Sequence, residues 1–211
     1  HSATVTAEDG SGHGGHVGPQ PWVALTDQAE CDQLASEIQL ARDTALAYPT
    51  VADAEAAGYS LVTGYVPGIA AHYIKYPIID DVFAVDEPEM ILYDGTEPDS
   101  AVVGLSYYLM HPGDNKPTQG FTGDNDHAHR HIGLCSKDNR VIGDSKTTTE
   151  ECEARGGSKA DGDAGWMSHA WVVPGCESPW GVFSAATPVL DRTLGEASTT
   201  AGGACAGSGV R

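Results

Sequence analysis

The amino-acid sequence predicts an α+β fold, with N-terminal helices packed on a mostly antiparallel β-sheet and a flexible arm at each end. Three observations carry that expectation. Apolar residues recur at helical spacing up to Gly58, and from Tyr59 the period shortens to that of strands. Runs of β-formers, Ala101 to Met110 above all, are separated by Gly/Pro turns. The two ends are too rich in Gly, Ala, Ser and Thr to bury a core. The boundaries read as an arm over 1–20, one domain over 21–192 and a tail over 193–211.

Trp22-Val23-Ala24-Leu25 enters the fold, and Thr26 reads as a helix N-cap. Leu34, Ile38, Ala41, Ala45 and Tyr48 then share a helical face that ends before Pro49. Thr50 and Asp53 form a capping-box start for a second helix, which Gly58 stops. Ser60 to Val66 is extended up to the Pro67-Gly68 turn, and Ile69 to Ile74 follows with His72 among apolar neighbours. Pro77 to Glu87 reads as a loop. Pro88 to Tyr93 is a strand with Glu89 at its start. The short link over 95–100 makes it an antiparallel hairpin with the strand Ala101 to Met110.

A Gly/Pro/Thr loop leads to Asp124-Asn125-Asp126-His127-Ala128-His129-Arg130-His131, expected to run as a strand to Cys135. Cys135 and Cys152 bracket a polar excursion and are expected to pair, a bridge worth about 3 kcal/mol in the chain-entropy model. A Cys31–Cys205 bridge would tie down the tail. Residues 154–164 read as flexible. Gly165 to Val173 is the last clear strand, with Met167, His169 and Trp171 on one face. Met110 and Met167 read as core.

Composition narrows the function. With 11 basic and 30 acidic residues the formal charge is -19, which repels nucleic acid and anionic membranes. No apolar run is long enough for membrane insertion. A start at His1 rather than Met, read with five cysteines, points to a secreted, disulfide-bonded protein whose signal peptide has been removed. Five is an odd number, and an unpaired cysteine or the terminal arms could join copies into a homo-oligomer.

The chemistry sits at the histidines. On an extended chain His127, His129 and His131 share one face, and neutral imidazole is the commonest metal ligand. A third strand histidine completes a set suited to copper or zinc, with iron behind them. The primary ligand set is His127, His129 and His169, with His131 and His72 as further donors. Asp126 and Glu89 are the nearest carboxylates for orienting a ligand or serving as a general base. Cys176 would add a soft donor, but its Pro-Gly surroundings fit a turn or a disulfide. His1, His13 and His16 on the arm could bind metal weakly. The sequence contains no Gly-x-Ser-x-Gly, no phosphate-binding or dinucleotide fingerprint and no Cys-x-x-Cys-His.

Several stretches resemble a group of small secreted, mostly actinobacterial proteins of uncharacterised function. They are Val51 to Tyr59, Gly68-Ile69-Ala70-Ala71-His72-Tyr73, Pro88 to Gly95, Val103 to Tyr108, Asn125 to His131 and Gly165 to Trp171. The resemblance runs from about Trp22 to Pro188. In that group an aromatic residue often stands in the place of Ala128, and Cys176 is not a usual member of the pattern. The resemblance implies secretion and a site at these histidines, and no reaction.

Three functions follow as expectations. The first is a secreted metal-binding protein that carries or sequesters copper or zinc. The second is a mononuclear metal-dependent enzyme, hydrolytic or oxidative, at the same site. The third is an extracellular structural or assembly protein. Four closed protein ligands would favour storage, whereas three ligands and an open position would favour catalysis.

Overall fold

The computed structural model describes residues 19, 21–159 and 165–190. The arm histidines, Cys205 and the 193–211 tail lie outside the described residues.

Helix α1 (Gln28–Leu46) starts one position later than the sequence reading, because Asp27 rather than Thr26 caps it. The Asp27 carboxylate accepts the Ala29 amide at 2.7 Å, satisfying one of the orphan donors of the first turn. Leu34, Ala41 and Ala45 form its buried stripe. Helix α2 (Val51–Ala56) carries the expected Thr50/Asp53 capping box. Strands β1 (Ser60–Val66), β2 (Ala70–Ile74), β3 (Met90–Tyr93) and β4 (Val102–Leu109) follow where the periodicity puts them.

The excursion between the bridged cysteines is more structured than its composition implies. It holds β5 (Cys135–Lys137), β6 (Arg140–Gly143) and α3 (Thr149–Ala154). Asp138 and Asn139 turn the β5–β6 hairpin at φ 50° and 61°, a left-handed pair that Asp and Asn tolerate better than most residues. Strands β7 (Ser158–Lys159) and β8 (Trp166–Ala170) complete one eight-stranded sheet in the order β7-β5-β6-β1-β2-β3-β4-β8. Among the described pairings only β1–β6 is parallel, so the sheet is mostly antiparallel and the fold is α+β.

Strand alternation divides this sheet into two unlike faces. The register Tyr73–Ile91–Leu105–Ala170 runs across β2, β3, β4 and β8 on the face that α1 covers. All four side chains are almost wholly buried in the hydrophobic core. One residue along, the register Ile74–Met90–Ser106–His169 lies on the other face, with His72, Leu92 and Gly104 in the next row.

Cys135 and Cys152 are bridged, with Cα atoms 5.6 Å apart. The expected Cys31–Cys205 bridge is not formed: Cys31 is a free thiol, half-buried on the first turn of α1. Cys176 is buried and disulfide-bonded.

Candidate metal centre

The histidine segment departs from the expected continuous strand. Residues 124–134 are largely irregular, and a single antiparallel bridge joins His129 to Met167 on the outer edge of β8. The His129 amide donates to the Met167 carbonyl at 2.8 Å, and the Met167 amide returns the bond at 2.7 Å. Side chains hold the rest. Asn125 brackets Val23, accepting its amide and donating to its carbonyl. Thr122 donates its amide and hydroxyl to Glu37 on α1. Arg130 reaches Asp114 at 2.8 Å and lies over the Trp166 ring. The loop therefore reaches its place through tertiary anchors, which the alternation rule does not foresee.

The bridge sets the direction of the His129 ring. His129 pairs with Met167, so it shares the face of Met167 and His169. The rings follow one another, tilted and 5.7 Å apart by centroids for His127–His129 and edge-on at 5.0 Å for His129–His131. His169 lies 5.3 Å from His129 and 5.4 Å from His72 by ring centroids. The closest approach is His72 Nε2 to His169 Nε2, at 3.2 Å.

That approach needs explaining, because β2 and β8 are three strand spacings apart, roughly 14 Å in a flat sheet. The sheet must coil for the two imidazoles to meet. The positions between them on β4 must also be small, and they are Gly104 and Ser106. A Cβ on Gly104 would stand 3.0 Å from the Trp171 ring, so this glycine also admits the indole that packs against His169.

His169 is the best defined of the donors. It is fully buried, and its Nδ1 lies 2.7 Å from the Ala185 carbonyl oxygen. A carbonyl only accepts, so Nδ1 carries the proton and Nε2 presents a lone pair to His72. Burial, and then the neighbouring His129 and His72, hold this imidazole well below its usual pKa, so it is neutral at neutral pH. His129 repeats the pattern, with Nδ1 3.1 Å from the His127 carbonyl.

Two nitrogens bound to one tetrahedral ion at about 2.0–2.1 Å stand roughly 3.3 Å apart. The His72–His169 pair already has that separation, which also suits a proton donated from His72 to His169. Among the described residues no group of three or more His, Cys, Asp or Glu side chains converges on one point as a finished metal cage.

His72, His129, His131 and His169 line one cavity of about 470 Å³ on the open face of the sheet. His127 stands outside its lining, so the donors brought together are His72, His129 and His169 rather than His127, His129 and His169. Neither expected carboxylate lines this cavity. Asp126 precedes His127 and lines a separate cavity of about 190 Å³, where its carboxylate accepts the Phe121 amide at 2.7 Å. Gly120 permits that contact, since a Cβ there would lie 1.8 Å from the Asp126 carboxylate. Glu89 precedes Met90 and accepts the Tyr108 amide at 2.8 Å, past the end of the β3–β4 ladder. Burial raises both carboxyls to about 7.

Sequence reading put Met167 on the face of His169 but took it and Met110 as core, whereas Met110 is exposed. All three methionines in the chain, Met90, Met110 and Met167, line the histidine cavity. Alternation could have added Met90, which lies in the register row of Ser106 and His169. The Ala185 carbonyl had no sequence signal. The chain matches no protein-family model, no curated protein and no solved structure.

Proposed function

We propose that this is a secreted metal-binding protein that holds a copper or zinc ion on His72, His129 and His169, with His131 the nearest further donor. The observation that carries the reading is the His72–His169 pair, with Nε2 atoms 3.2 Å apart. Its chemistry fits the group: the Ala185 bond leaves His169 with its lone pair turned to its partner, as an outer-shell carbonyl does for a metal ligand. Side-chain rotation of His129, 5.3 Å away, would complete the set. The three methionines around the cavity favour copper, since thioethers suit its reduced state better than they suit zinc. The Cys135–Cys152 bridge supports an oxidising, extracellular setting.

A second reading, a metal-dependent enzyme on the same residues, draws on the cavity itself. A storage site needs no open volume beside its ligands, whereas a reacting site needs room for substrate. When bound, the ion would supply Lewis acidity or redox chemistry. The residues would position it, exclude water through the apolar walls and keep His169 neutral.

The test is elemental analysis of protein purified without chelator or added metal, beside a His72→Ala/His169→Ala double variant. About one equivalent of copper or zinc, lost in the variant, is expected, with occupancy falling as pH drops through the histidine range. A folded wild-type protein that takes up neither ion in equilibrium dialysis would overturn both readings.

A further inference from the structure

The histidine cavity and the smaller cavity beside Asp126 differ in charge. Asp124, Asp126 and Lys116 line the smaller one. Among the described residues that line the histidine cavity there is no Asp, Glu or Lys, in a chain that carries 30 acidic residues. Arg140 is the one charged residue at its wall, and the side chain leaves the cavity. Val141 pairs with Thr63, and Thr63 with His72. Val141 therefore shares the histidine face, and Arg140, one position back, turns to the opposite one. There its charge acts on Tyr73, a residue of the helix-covered side.

What faces the hollow is apolar surface left uncovered. Ile69, Ile79, Leu134, Val141 and Met167 line it and are only half-buried. On the helix-covered face Tyr73, Ile91, Leu105 and Ala170 are almost wholly buried. At the mouth Tyr76 and Met110 are 41% and 46% exposed. A contiguous apolar surface left open on a soluble protein marks a binding site. Its size and shape suit a small molecule, since about 470 Å³ lies within the range of such pockets. Methionine walls adapt to ligands of varied outline. The two ends of the chain, dominated by Gly, Ala, Ser and Thr, bring few apolar side chains to fill it. An ion entering this hollow would give up its water with no charged side chain in the wall to answer it, which costs far more than burying a hydroxyl.

We infer that the histidine cavity binds a small, uncharged, apolar molecule, held by its aliphatic and thioether walls. The inference stands apart from the metal reading, because the walls and not the imidazoles carry it. Under the second reading above, that molecule is the substrate.

1-Octanol, octanoate and octylammonium share a chain and differ in charge, and they test it. Calorimetric titration of 1-octanol into the full chain, with chelator present, reads its affinity. Displacement of bound octanol reads the affinity of the two ions, so ions held elsewhere on the acidic surface are not counted. Saturable one-to-one binding of octanol is expected, with each ion weaker by about tenfold or more. Val141→Asp sets a carboxylate in the wall and should weaken octanol by about tenfold. Arg140→Gln, on the opposite face, should leave all three affinities unchanged. Met110→Trp, at the exposed mouth, should weaken octanol by narrowing the entrance without disturbing the sheet. Either ion binding as tightly as octanol would overturn the uncharged ligand class. No octanol binding to protein shown to be folded by circular dichroism, or octanol binding that Met110→Trp leaves unchanged, would overturn the cavity as the ligand site. Metal uptake is measured separately by dialysis without octanol, so the failure of one reading is distinct from the failure of the other.

Discussion

Leu105 and Ser106 are neighbours on β4, both fully buried, and they belong to different chemistries. Leu105 faces α1 and sits in a row of Tyr73, Ile91 and Ala170. Ser106 faces the histidines and sits in a row of Ile74, Met90 and His169. The helix-covered face is closed by aromatic and aliphatic packing. The other is left hollow, with polar groups turned into the hollow. One set of strands thus serves stability on one side and binding on the other, and the division is made by single-residue alternation.

Substitutions can break this contrast. The largest effect is expected at Leu105→Ala, which should cost about 3 kcal/mol through lost burial and a cavity, read as a lower urea midpoint. Metal uptake per folded molecule should not change. A loss of uptake without a loss of stability would mean that the faces are not separate.

Glu89 sharpens the comparison, because it is a carboxylate buried on the closed side near Tyr59 and Tyr107. Burial raises its pKa from 4.5 to about 7, so the fold favours its neutral form. That contribution is full below the unfolded pKa and is lost as pH rises through the folded value. Its loss spans about pH 4.5 to 7 and amounts to at most about 3 kcal/mol. Glu89→Gln keeps an acceptor for the Tyr108 amide and should flatten the fall in stability between pH 5 and 8. An unchanged slope would mean that Glu89 ionises freely.

Ser106→Ala should move stability by less than about 1 kcal/mol, since the hydroxyl has no hydrogen-bond partner among the described residues to lose. A larger loss would show that the serine holds something in the hollow. The smallest effect is expected from Asp114→Ala. Asp114 is 97% exposed in its pair with Arg130, and such pairs contribute a few tenths of a kcal/mol. A loss above 1 kcal/mol would make that pair a true anchor of the histidine segment.

Much of this fold was legible in the sequence where local rules act alone. The Thr50/Asp53 box, the strand Ser60 to Val66 and the Cys135–Cys152 pairing need only neighbouring residues or a bracketed loop. The β5–β6 hairpin was hard to read because its few apolar residues, such as Val141 and Ile142, show no periodicity against a polar background, whereas α3 carried a Thr148/Glu151 capping box that the sequence reading passed over. At the site, alternation predicted the shared face of His127, His129 and His131. It could not predict which of them would meet His72, because that depends on the coiling of the sheet and on Gly104 and Ser106. The same alternation, applied to Glu89 and Asp126, would have turned both carboxylates away from the histidines.

The bridge between His129 and Met167 has a consequence for solubility. β8 is a terminal strand, and its outer edge would otherwise offer unpaired amides and carbonyls to any passing chain. The histidine segment lies along that edge, held there by one reciprocal pair of bonds and by Asn125, Thr122 and Arg130. Whatever loosens the segment therefore uncovers Trp166-Met167-Ser168-His169-Ala170, a run of strand-forming residues able to seed pairing between molecules.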